Sequence, residues 1–168
     1  MVAPSDQSAH ELDALDASLI TALAEHPRAG ILEIARIVGV ARNTVYARLE
    51  RLRGRGVIVG FGPDIDLAAI GYDVMAFTTV AVAQGSFDTV VEHLGRIPQV
   101  VEVHAVAGAG DLLCRVVATS NRGIMEVVER ILAIPGVDRT TSAVSLAEQI
   151  RYRPLGLLSE VVQRREDR

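Results

Sequence analysis

An apolar pattern occurs twice in this chain. Phe87, Val90, Val91, Leu94, Ile97, Pro98 and Val100 return, in the same order and spacing, as Ile124, Val127, Val128, Ile131, Ile134, Pro135 and Val137. Each copy places apolar residues three and four apart, which lines one face of a helix; a proline and a β-branched residue then end the helix and open a strand. Strand candidates flank both helices: YDVMAFTTVAVA (72–83), VVEVHAVA (100–107), LLCRVVAT (112–119) and GVDRTTSAVSLAEQI (136–150). The helices themselves read as FDTVVEHLGRI, opened by Ser86, and GIMEVVERILAI. Two β-α-β units in register predict a split βαββαβ, ferredoxin-like domain, with the stretch VAGAGD as the turn that joins them.

The segment before this repeat has a different period. Leu12, Leu15, Leu19 and Leu23 recur at helical spacing after Asp13, a plausible N-cap. Ile31, Ile34, Ala35 and Val38 form a second stripe, stopped by Gly39, and Val45, Leu49 and Leu52 a third, stopped near Gly54 and Gly56. Val57-Ile58-Val59 reads as a short strand. Only Gly39-Val40-Ala41 separates the second helix from the third, which is arginine-rich, and this is the helix-turn-helix pattern. With a hinge at Pro63-Asp64, the predicted organisation is a helix-turn-helix unit with its linker strand (1–62), a βαββαβ unit (63–150) and a C-terminal extension (151–168). Leu157, Leu158, Val161 and Val162 in the extension suit either a short amphipathic helix packed on a partner or a frayed, solvated end.

Net charge is −4, which taken alone argues against a nucleic-acid partner. The average conceals a split: residues 28–62 hold seven arginines against Glu33 and Glu50, whereas residues 63–150 hold five against eleven acids. A basic segment beside an acidic one suggests that only the first meets a polyanion. All 17 basic residues are arginine. No apolar run reaches the ~18 residues needed to span a membrane, and the polar, acidic start does not resemble a secretory signal, so a cytoplasmic protein is the simplest reading. Cys114 is the lone cysteine, which excludes an internal disulfide and argues against structural zinc; it reads as a packed core thiol. His10, His26, His93 and His104 show no metal-ligand spacing, no Ser-His-Asp signature stands out, and neither metal nor cofactor is expected.

With Val45, Leu49 and Leu52 turned to the core, helical geometry points Asn43, Ala47 and Arg51 outward, with Thr44 and Tyr46 beside them and Arg42 and Arg48 flanking the buried stripe. Major-groove readout uses side chains at the start of such a helix, because base edges present paired donors and acceptors. Asn43 suits adenine, and Arg42 suits guanine or phosphate. Thr44, Arg48, Arg51, Arg53 and Arg55 suit phosphate contacts, which anchor without reading sequence.

Ala107-Gly108-Ala109-Gly110-Asp111 lends itself to two readings. A dinucleotide loop needs a third glycine and a following helix; Leu113 occupies that glycine position and a strand follows, and no Gly-Lys-Ser/Thr is present. As a hairpin turn, Gly108 and Gly110 supply backbone conformations with positive φ. Asp111 is then either an exposed turn residue or a fixed carboxylate, and His104 either a half-buried sheet residue or a neighbour of a site.

LDALDASLITAL followed by RAGILEIARIVGVARNTVYARLERLRGRGVIVGF resembles the N-terminal domain of the Lrp/AsnC (feast/famine) transcriptional regulators. The resemblance continues through GYDVMAFTTVAV, IPQVVEVHAVAGAGDLLCRV and IPGVDRTTSAVSL, over roughly residues 12–150. It implies an α+β chain: a winged helix-turn-helix, then a RAM-type βαββαβ domain for effector binding and oligomerisation. It also implies a non-enzymatic, sequence-specific regulator of double-stranded DNA, a homodimer joined through its sheets and commonly stacked to an octamer. A small effector, often an amino acid, would sit between dimers. The effector rim would comprise His104, Ala107, Gly108, Ala109, Gly110, Asp111 and Leu112, with Asp111 toward an ammonium group and turn N–H groups toward a carboxylate. Thr140, Thr141 and Ser142 would add hydroxyls. The chain departs from the family at Ala41, where serine usually opens the recognition helix, at the glycine turn, and at His104 in place of a tyrosine. Two alternatives stay open: an architectural DNA-binding protein without an effector, and a siroheme-decarboxylase-like enzyme on the same fold. The absence of arginine from GVIVGFGPDIDL counts against the second.

Overall fold

In the computed structural model, which describes residues 12–166, the chain enters its first helix at Asp13. Helix α1 (Ala14–Glu25) opens on a capping box in which the Asp16 N–H donates to Asp13 and the Asp13 N–H donates to Asp16. Helix α2 (Ile31–Val38) ends at Gly39, whose φ of 77° is the left-handed cap that glycine adopts without strain. Helix α3 (Arg42–Gly54) follows from Ala41, which has the extended backbone of an N-cap and no side-chain oxygen to complete it. Leu19, Ala22, Ile34, Ala35, Val45, Leu49 and Leu52 form the buried core that the three sequence stripes predict.

Val57–Val59 is not a strand. Val57 and Ile58 pack against the helical core, with their N–H groups donating to the Leu52 carbonyl, and Val59 lies in solvent. The β-branched run continues the core beyond α3 instead of joining a ladder, which would need a partner strand.

Pro63–Ile150 form a second unit. After a 3₁₀ turn at Ala68–Ile70 come β1 (Val74–Val82), α4 (Phe87–Leu94), β2 (Val100–Ala105), β3 (Leu112–Ala118), α5 (Asn121–Leu132) and β4 (Val137–Val144). The sheet order is β2-β3-β1-β4, antiparallel throughout, which is the βαββαβ arrangement predicted from the repeat. Alternation along the strands sends Ala76, Val80, Leu112, Cys114, Val116 and Ala118 to one core with Val90, Leu94, Ile124, Val127 and Ile131 of the helices. Burial in that core pushes the Cys114 thiol up to about 11. Strand β4 stops at Val144, short of the 136–150 read from sequence. Its ladder runs out with β1: Val144 pairs with Ala76, and Ser145 donates to the Met75 carbonyl.

The other sheet face carries Phe77, Thr79, Arg115, His104 and Thr141. Arg115 lies 5.9 Å from the centre of the Phe77 ring and 3.4 Å from Glu102, whose other carboxylate oxygen lies 2.8 Å from Nε2 of His104.

Helix α6 (Gly156–Glu166) belongs to the first unit, not the second. Leu158 and Val161 pack against the α1–α3 core, while Leu157 is exposed. The extension is therefore helical and docked within its own chain.

Candidate nucleic-acid interface and glycine turn

Helix α3 is held by Val45, Leu49 and Leu52, each at most 6% exposed. The helical period then turns Asn43, Ala47 and Arg51 to solvent, with Thr44 and Arg48 half-buried at the edges. These five residues line one shallow groove of about 480 Å³. Arg42 lies over the Tyr46 ring at 5.7 Å, a cation–π contact that restrains both side chains at the helix start. Arg53 is exposed and pairs with Glu50 at 3.4 Å; Arg55, half-buried, is the C-cap.

Arg48 and Arg51 have a role that the sequence reading did not include. Nη2 of Arg51 donates to both Asp16 oxygens at 2.8 and 2.7 Å, and Nη1 of Arg48 donates to Asp16 at 3.0 Å and to Asp13. The Asp16 side chain is fully buried, so two guanidinium groups and a backbone N–H replace the water it has lost. The Arg48 hydrogen bond holds the Asp13 carboxyl below its ordinary range, and the same contact raises the Arg48 pKa. The two acids that cap α1 thus also bind α1 to α3. The sequence did contain a signal, acids three apart and arginines three apart, but Asp13 reads there only as an N-cap and Arg48 and Arg51 as phosphate contacts.

The β2–β3 turn folds onto β1. The Asp111 N–H donates to the Val80 carbonyl at 2.9 Å, and the Val82 N–H donates to the Asp111 carboxylate at 2.8 Å. This carboxylate therefore satisfies the β1 backbone where the register against β4 shifts, between Ala81 and Val82. Gly108 has φ 138°, as a turn glycine should, but Gly110 does not have positive φ. Gly110 is needed for another reason: a Cβ there would lie 2.5 Å from Thr79 Cγ2 and 3.0 Å from the Val80 carbonyl oxygen.

Several of the effector-site expectations are redistributed. Ala107, Gly108, Ala109 and Asp111 are exposed at the turn, as is His104 nearby on β2. Leu112 is not at the rim: it is 1% exposed and belongs to the sheet core. The hydroxyls on β4 do not converge, because neighbouring strand residues face opposite ways. Thr141 stands opposite Thr79, whereas Thr140 and Ser142 stand opposite Val80 and Thr78, and the Ser142 hydroxyl is hydrogen-bonded to Thr78 at 2.9 Å. Arg139, which the sequence reading passed over, crosses to donate to the Ala109 carbonyl at 3.3 Å. It brings a cation to the same turn as the Asp111 anion.

Comparison with known proteins matches both units. Residues 12–53 fit the AsnC-type helix-turn-helix domain, and residues 75–155 fit the Lrp/AsnC ligand binding domain. The HTH-type transcriptional regulator FL11 of Pyrococcus horikoshii is 33% identical over 135 residues, covering 80% of this chain and 89% of the relative. The solved structure of E. coli AsnC superposes with a TM-score of 0.78 at 23% identity, over 85% of this chain and 97% of that one. The transcriptional regulator NMB0573 of Neisseria meningitidis, solved as a complex with L-Met, gives 0.76 at 20% identity, over 84% and 94%. The chain belongs to the Lrp/AsnC family of transcriptional regulators.

Proposed function

We propose that this protein is a sequence-specific DNA-binding regulator that places α3 in the major groove, its DNA affinity modulated by an amino-acid-like effector. The observation that carries the reading is the outward face of α3. Asn43, Thr44 and Ala47 share one groove at the start of a helix whose opposite face is locked in the core. Held this way, Asn43 meets base edges and Thr44 a phosphate with little ordering cost on binding. Arg42, restrained over Tyr46, stands at the same end of the helix and reaches guanine or phosphate. A homodimer joined through the open sheet faces, with further stacking to an octamer, supplies two such helices for half-sites about 34 Å apart.

The effector reading rests on the glycine turn. Asp111 and Arg139 offer opposite charges within one turn, matching the ammonium and carboxylate of an amino acid. The neighbour solved with L-Met supports the same ligand class.

Sites selected from random or genomic duplex DNA by the wild type test the first part. Arg42→Ala and Asn43→Ala are each expected to change the selected sequence; unchanged preference in both would remove α3 as the reader. Calorimetry with each amino acid, repeated with Arg139→Ala, tests the second. A DNA-binding protein indifferent to all of them would instead be an architectural one.

A further inference from the structure

We infer that Asp13 and Asp16 restrain sequence-independent DNA binding by holding the charges of Arg48 and Arg51 within the helical unit. The inference rests on the reading of α3 as the DNA-contacting helix. Composition suggests that α3 and its C-cap present Arg42, Arg48, Arg51, Arg53 and Arg55 to a polyanion. The geometry divides them. Arg48 and Arg51 are bound to two carboxylates, so their four charges sum to zero before any DNA arrives.

The acids cannot simply yield their arginines to phosphates. Asp16 is fully buried and takes both guanidinium groups; a departing Arg51 would abandon a carboxylate that water does not reach. Asp13 and Asp16 are also locked to each other's backbone by the capping box. The carboxylates are thus preorganised, and a phosphate competing for these arginines meets partners already in place.

The consequence is selectivity. Each arginine that neutralises a phosphate releases counterions and tightens binding to every sequence alike. Two arginines on the contact helix are withheld from that effect, while Asn43, which addresses bases, stays open in the groove beside them. Discrimination between right and wrong sequences rises because the background falls.

The test is the salt dependence of binding to a mixed-sequence duplex DNA, using the full chain as wild type, Asp13→Asn and Arg51→Ala. Asparagine is as good an N-cap as aspartate, so Asp13→Asn removes one charge and keeps the helix start. It is expected to bind this DNA several-fold more tightly at low salt, with a log–log slope steeper by about 0.9. Arg51→Ala is expected to leave the slope unchanged. If Arg51→Ala melts without a cooperative transition, Asp13→Asn alone decides. An unaltered slope and affinity in Asp13→Asn, or a slope about 0.9 shallower in a folded Arg51→Ala, would overturn the inference. A wild type that binds no DNA at any salt would instead sink the reading of α3.

Discussion

Asp111 and Val82 are joined by a hydrogen bond of 2.8 Å from the Val82 N–H to the Asp111 carboxylate, across the register shift of β1. The glycine turn in this way fastens the β2–β3 connection to β1. Its backbone lies so close to β1 that residue 110 has room for a hydrogen and for nothing larger.

Gly110→Ala should therefore destabilise the sheet unit by about 1–3 kcal/mol, the usual cost of forcing a methyl into a packed site. Thermal unfolding followed by near-ultraviolet dichroism measures it. A melting temperature equal to the wild type would mean that the turn lifts off β1 without cost.

Ala41→Ser should act in the opposite direction. The backbone at Ala41 already has N-cap geometry, at φ −66° and ψ 146°, and lacks only the oxygen that would accept from the first turn of α3. Restoring it is expected to stabilise the helical unit by about 1 kcal/mol, read from denaturant unfolding. A destabilised variant would show that the first turn of α3 already has a better partner.

Acid should weaken the α1–α3 junction through Asp13. Its carboxyl titrates below the ordinary 3.8, chiefly because Arg48 donates to it. Folding is thus favoured fully above the unfolded value, and the advantage is lost as pH falls through the lowered folded value. The stability difference between wild type and Asp13→Asn is expected to be constant above pH 3.8 and to shrink below it. A difference independent of pH across that window would place the Arg48 contact elsewhere.

Leu158→Ala and Val161→Ala should each lower the stability of the helical unit by about 1 kcal/mol, as half-buried apolar contacts do, while Leu157→Ala should be neutral. Hydrogen exchange at α1 reports the change directly. Equal protection in all three would detach α6 from the core.

Much of this was visible in the residues. Apolar spacing identified α1, α2 and α3 of the first unit and the βαββαβ order of the second, because burial dictates period. What stayed hidden depends on partners distant in sequence. Val57–Val59 has strand composition but packs as core, and composition carries no information about a missing neighbour strand. Arg48 and Arg51 have the look of phosphate ligands until Asp16 is seen beneath them, more than thirty residues away in sequence. Leu112 adjoins the turn in sequence yet points into the core, and Arg139 lies far from the turn in sequence yet touches it. The groove residues Asn43, Thr44 and Ala47 were legible because one short helix carries them all.

The docking of α6 on the first unit makes that unit discontinuous: it starts before the sheet unit and is finished after it. On the ribosome, α1–α3 emerge well ahead of the helix that covers them, and the sheet unit must be synthesised in between. Helix α3 stands on a fully covered core only when translation has passed Val161. A chain cut short before Leu158 would therefore carry α3 on a less covered, weaker core.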